Sequence, residues 1–188
     1  MGQALSPATL RAASRPGQRL QGQPRPCYLF LVAEALTPYG LAETWHLNNR
    51  VNLRLLAHLT GQQLAYTAHS RARSIADQFA HLHNVRILWL EPRLPAVAER
   101  LHKIEKGAAT RAGLERALAE SADTIAEMLA EAEWTGRLKS AKRGPLAFLG
   151  YALAHEAHHR GQIIVHLKQA KMPIDTMVGF SLWEWEKI

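Results

Sequence analysis

The sequence predicts an all-α fold, a four-helix bundle, and three observations carry that prediction. Apolar residues recur at three- and four-residue spacing through four long segments. No Val/Ile/Thr-rich alternating run of the kind a strand needs occurs between them. The breaks fall on Gly, Pro and cap residues. With 188 residues the chain is long enough for one domain with a full hydrophobic core and short for two. Apolar residues make up 47% and charged residues 21%, an ordinary globular composition. No apolar run approaches the ~20 residues that a membrane-spanning helix needs.

The first element is a tail. Residues 1–26 hold Arg11, Arg15, Arg19 and Arg25 and no acid, among Pro, Gly, Gln and Ser. Such a segment has too little apolar surface to pack, which predicts a flexible basic tail over 1–36, disordered or extended, ahead of a bundle domain over 37–188. Of the formal net charge of +7, removing those four Arg from the 23 basic residues leaves 19 against 16 acids, or +3. The excess therefore sits mainly on the tail, and a nucleic-acid partner is not expected; a solvated leader or an early start codon is the plainer reading. "CYLFLVA" (27–33) has a trace of a signal peptide, but the run is short and Glu34 interrupts it, and an organellar transit peptide matches on composition alone. A cytoplasmic location is expected. The single Cys27 excludes an internal disulfide and a Cys-rich zinc cluster, so any transition-metal site must use imidazole and carboxylate.

Thr37-Pro38 predicts the cap and first residue of a helix through "YGLAETWHLNNRVNLRLLAHL" that stops at Gly61, with Leu41, Trp45, Val51, Leu55 and Leu59 inward. Ser74 with Asp77 forms a capping-box-like start for "IADQFAHLHNVRILWL", whose stripe is Ile75, Phe79, Leu82, Val85 and Trp89; Pro92 and Pro95 end it. Residues 92–109 read as a long connection with one helical turn around "AVAERLHKI". A third helix runs from about Thr110 to Trp134 with Leu114, Leu118, Ile125 and Leu129 inward, and "TGRLKSAKRG" is a loop. Gly144-Pro145 opens a fourth helix to about Ala170, stopped by Met172-Pro173. The ending "VGFSLWEWEKI" is a short C-terminal segment expected to pack back on the bundle.

The fourth helix carries "LAHEAHHRGQI" (153–163), a literal H-E-x-x-H. In zinc proteases the two His hold the metal and the Glu is the base. That reading needs a third ligand after the helix and normally a sheet edge for substrate. Gln162 and Val165 stand where the extended motif wants Gly and His, Glu184 lies 25 residues beyond His159, and no strand-forming segment precedes the helix. The other reading starts from the helix faces. One face reads Phe148, Ala152, His155, His159, Gln162 and His166; a second, predicted as core, reads Leu146, Leu149, Leu153, Ala157, Ile163 or Ile164, and Leu167. Two imidazoles one turn apart on an inward stripe can share one cation, which removes a penalty of roughly 1–3 kcal/mol per unpaired polar group. A third ligand would come from the second helix, where His81 lies over Val85 and Leu88 and His83 over Phe79 and Ile87. Residues two apart cannot both face one cation, and periodicity does not choose between them. His46, His58 and His69 are weaker candidates, and His158 is off the line. Glu156 is a weak catalytic candidate; an ion pair with Arg160 at i+4 is the plainer role.

"HEAHHRGQI" resembles the H-x-x-x-H-R-G-Q signature of the DinB-like superfamily of metal-binding four-helix bundles. "SIADQFAHLHNVRILWL" is similar to that family's second-helix segment, in which a His followed by Leu is the first ligand, and "GFSLWEWEKI" to its Trp-containing ends. The resemblance covers most of residues 40–188. It implies a divalent metal, Zn, Ni, Fe or Mn, held by His81, His155 and His159, with Gln162 and Asn52 as pocket residues. It further implies a small-molecule substrate and a metal-dependent enzyme of the thiol-dependent S-transferase or hydrolase kind, using a low-molecular-weight thiol. The alternative is a non-catalytic, stress-related metal-binding bundle; a homodimer is compatible with either. Three neutral imidazoles leave open coordination positions, and protonation should release the metal as pH falls through ~6.

Overall fold

Residues 40–188 are described by the structure, a computed structural model. The elements are α1 (Leu41–Ala57), the short α2 (Gly61–Ala65), α3 (Ile75–Leu90), the single turn α4 (Pro95–Ala98), α5 (Arg111–Thr135), α6 (Gly144–Gln169), α7 (Thr176–Ser181) and a closing 3₁₀ turn, Trp185–Lys187. Among the described residues the only β pairing is an isolated bridge between Thr67 and Ser74. No helix of this region is long and apolar enough to cross a membrane. The basic tail and the Thr37-Pro38 start lie outside the described residues.

Local chemistry explains most boundaries. Ser74 Oγ accepts from the Asp77 N–H at 3.0 Å and starts α3, while the Asp77 carboxylate accepts from the Gly107 N–H at 2.8 Å. Burial alone would raise the pKa of Asp77, but the bonds from Gly107 and Ser74 prevail and hold it below its ordinary value. Thr110 caps α5, and Gly136, left-handed at φ 68°, closes it. The reading of Gly61 as a stop requires correction. It does not adopt a left-handed conformation but opens α2, because Thr60 and Gln63 exchange the two bonds of a capping box at 3.2 and 2.7 Å. Pro95 likewise starts α4 in addition to following the end of α3, since its missing N–H costs nothing at a helix N-terminus.

Helix α6 differs from the expected core face. Leu149, Ile163 and Leu167 are buried, but Leu146 is 72% exposed and Ala157 faces outward. The line that faces the core is Phe148, Leu149, Ala152, Glu156, His159, Ile163 and Leu167. A buried glutamate on that line misleads a reading based on apolar periodicity alone. At the C-terminus Leu182 and Ile188 pack on the core, whereas Trp183 is 83% exposed.

The four long helices meet in the order α1, α5, α3, α6 around the bundle. Two apolar clusters fill it. One holds Trp45, Ile87, Leu90, Ile125, Leu129, Phe148 and Ala152; the other holds Val51, Leu55, Phe79, Leu82, Leu114, Leu118, Ile163 and Leu167. Every long helix passes from one cluster to the other through buried polar residues: Asn48, Asn49 and Asn52 on α1, Arg86 on α3, Ser121 on α5 and Glu156 on α6. The order of the clusters along each helix fixes its direction. Helices α1 and α6 run one way, α3 and α5 the other. Parallel neighbours need a connection that returns the length of the helix. The segment 91–110 does so along α3, pairing the His102 carbonyl with His83, Ile104 with Asn84 and Gly107 with Asp77.

Candidate metal centre

Helix α6 presents His155 and His159 one turn apart, and α3 brings His81 against both. Ring centroids are 5.7 Å apart for His81–His155, 4.7 Å for His81–His159 and 4.7 Å for His155–His159. One ring nitrogen from each lies within 4.8 Å of the others, a grouping that could hold a metal ion. His83 turns away: it is buried, and its Nε2 sits 3.0 Å from the His102 carbonyl oxygen. His46 lies 3.8 Å from Asp123, and His58 Nδ1 lies 2.8 Å from the Arg54 carbonyl. His69 is exposed in the turn region before α3. None of these joins the cluster of three.

The electrostatics favour neutral rings. Burial, then the Arg73 guanidinium and His155, lower the pKa of His81 to about 4. Burial, then His81, His155, His158 and Arg73, lower that of His159 to about 4. Burial also depresses His155, against the pull of the Glu156 charge. Neutral imidazole is the form that ligates. Gln78, on α3 and buried, sets the tautomer of His159: its Oε1 is 3.1 Å from Nδ1, so Nδ1 carries the proton and Nε2 keeps a lone pair. His155 Nδ1 is buried without a hydrogen-bond partner. Trp89 stands edge-on to His155 at 5.4 Å and Tyr151 is 6.3 Å from it, giving the cluster an aromatic wall. A cavity of about 620 Å³ opens beside His81, its charged lining made of Arg71, Arg73, Lys103 and Lys106 with Asp77 and Glu105.

The remaining candidates lie elsewhere. Glu156 points into the bundle, fully buried, with Arg86 Nε on Oε1 at 2.7 Å and Nη2 on Oε2 at 3.1 Å. Asn48 and Asn52 donate to Oε2 at 2.5 and 2.6 Å. Burial would raise the pKa of this carboxyl, but Arg86, Asn52 and Arg160 hold it below its ordinary value. Its ion-pair partner is thus Arg86, whereas Arg160 reaches Asn48 and Asn52 instead. Asn52 belongs to this network, and the Gln162 amide meets His158 at 2.9 Å. Two important residues escaped the sequence reading. Gln78 lies one turn before His81, and Arg86 lies one turn after Leu82 and one before Leu90, both polar groups on an inward stripe. That position was the available signal.

The donor set suits a divalent ion: three neutral nitrogens, no thiolate, one ring held by an amide oxygen, and one buried nitrogen in need of a partner. Neither the curated proteins nor the solved structures yield a match to this chain. The DinB family model matches residues 34–183, and the chain therefore belongs to the DinB family, here a helical bundle with a three-histidine cluster able to take a metal ion.

Proposed function

We propose that this chain is a divalent-metal-dependent enzyme in which His81, His155 and His159 hold the ion, acting as a thiol-dependent S-transferase or a hydrolase on a small molecule. The observation that supports it most is the convergence of three imidazoles from two helices, with a buried nitrogen of His155 left without a hydrogen-bond partner. A divalent ion there supplies a Lewis acid that favours the thiolate form of an external thiol, or lowers the pKa of a water to around 7.

The chain's own residues do the rest. Gln78 orients His159 by accepting a hydrogen bond from its Nδ1–H. Trp89 and Tyr151 screen one side of His155. In the adjoining cavity Arg71, Arg73, Lys103 and Lys106 outnumber Asp77 and Glu105, and with Lys103 paired to Glu91 the positive balance rests on Arg71, Arg73 and Lys106, which suits a substrate or thiol bearing an anionic group. Glu156, engaged by Arg86 and two asparagines, braces the helix that carries both histidines. The test is a screen of low-molecular-weight thiols with electrophiles, and of activated esters and amides, using metal-loaded protein and His159→Ala as control. The reading predicts turnover with the wild type and at least about a hundredfold less with the variant, as for removal of a principal electrostatic group in an active site. Equal rates for the two would contradict it.

A further inference from the structure

We propose that a second cleft, between α6, α1 and the C-terminal segment, binds a small apolar molecule ending in a carboxylate, with Arg160 as its anchor. The cleft measures about 470 Å³, within the range of small-molecule sites. Val51 of α1, Leu153, Ala157 and Ile164 of α6, and Trp183 and Trp185 form its apolar walls. It lies on the far side of α6 from the three histidines, since Ala157 and Ile164 sit about 180–200° around the helix from His155. It does not belong to the site already described.

The charge count identifies the ligand. Two guanidiniums, Arg86 and Arg160, flank one carboxylate, Glu156, and Arg86 engages both of its oxygens. Arg160 is left with a surplus positive charge. Its Nη1 donates to Asn48 Oδ1 at 2.9 Å and Asn52 Oδ1 at 2.7 Å. Among the described residues its Nε and Nη2 have no protein acceptor, and neither atom is sealed in the interior. An arginine with a free edge in an apolar cleft matches a planar monoanion, whose two oxygens take the remaining donors while its body covers the walls. A neutral ligand would leave the charge unmet, and a cation would meet it unfavourably. The helix leaves room for the ligand. Gly161 sits in mid-helix at the cleft floor, where glycine costs about 0.5–1 kcal/mol relative to alanine, and a Cβ there would meet nothing within 4 Å.

Calorimetric titration of the full chain with decanoate, decanol and decyltrimethylammonium tests this. Decanoate should saturate one site and bind at least about tenfold tighter than decanol, as expected for charge-assisted bonds, with the cation weakest. Arg160→Gln should reduce decanoate to the affinity of decanol. Gly161→Leu, which fills the cleft without touching the polar network, should abolish binding of both and covers the case in which Arg160→Gln does not fold. Metal content should be unchanged in Gly161→Leu. Equal affinity for decanoate and decanol, a preference that survives Arg160→Gln, undiminished binding in Gly161→Leu, or no saturable binding would overturn the proposal. So would sedimentation showing a dimer that Trp183→Ala dissociates and decanoate does not, because a second copy would then be the occupant.

Discussion

Helix α6 carries two polar clusters within five residues, and they differ in one respect. Between Glu156 and Arg86 the bonding is complete: all three guanidinium nitrogens of Arg86 donate, to Glu156, Asn49, Ser121 and the Leu118 carbonyl, and two asparagines complete the carboxylate. Around His155 the bonding is incomplete, with three ring nitrogens close together and one buried nitrogen unpaired. Adjacent residues of a helix point about 100° apart, so His155 and Glu156 serve different neighbours although the sequence writes them together. A satisfied polar cluster fixes the packing of four helices. An unsatisfied one is available to a ligand. A literal H-E-x-x-H thus divides into a histidine pair that could hold a metal ion and a structural carboxylate.

Mutations should separate the two clusters. The largest effect is expected for Arg86→Leu, which strands the Glu156 charge in the core. Urea unfolding should show a loss of about 3–5 kcal/mol, the usual cost of breaking a buried ion pair, and a loss below about 1 kcal/mol would mean the network does not hold the bundle. Next come the histidines. His81→Ala, His155→Ala and His159→Ala should each remove stoichiometric metal and leave the far-ultraviolet circular dichroism intact. His83→Ala should do the opposite, keeping the metal while losing about 1–3 kcal/mol as the His102 carbonyl goes unpaired. Metal loss in His83→Ala equal to that in His81→Ala would erase the distinction between them. Gln78→Leu should weaken metal affinity by about 10–100-fold, as for other residues that orient a ligand, with helix content preserved; unaltered affinity would show that the His159 tautomer needs no partner.

The smallest effect concerns pH. Burial lowers the pKa of His81 and His159 to about 4 in the folded chain, against the ordinary imidazole value of about 6.5. Between those values the unfolded chain binds protons that the folded chain does not. Stability of the metal-free protein should therefore fall as pH drops from about 6.5 towards 4, and be insensitive to these groups above that window. The same depression moves the expected loss of metal below the pH of ~6 inferred from ordinary imidazole: metal should persist at pH 6 and leave as pH nears 4. Stability flat across the window, measured by urea titration at several pH values, would show that the rings are not desolvated.

Much of this was legible in the sequence, for reasons that also mark where legibility ended. The helices of the bundle follow from three- and four-residue spacing, and Ser74, Thr110 and Gly136 mark ends where their side chains or backbone supply the missing bonds. Gly61 misled because a glycine at a helix start and one at a helix end look alike until Gln63 is seen to complete the box with Thr60. Leu146 misled for a different reason: a buried Glu156 shifts the true inward line of α6, and the partners that satisfy it there, Arg86 70 residues away with Asn48 and Asn52, are distant in sequence. The pairing of His155 with His159 is local and could be read from spacing. The approach of His81 rather than His83 is tertiary, decided by how α3 rotates against α6 and by the strand of chain at His102 that takes up His83.

Elemental analysis of protein prepared without a histidine tag or chelator, set beside His155→Ala prepared identically, tests the central claim most directly. One equivalent of a divalent transition metal in the wild type and less than about a tenth in the variant is the predicted result, as for loss of one ligand of three. An equal metal content in the two, or none in the wild type after incubation with zinc, nickel, iron and manganese in turn, would contradict it.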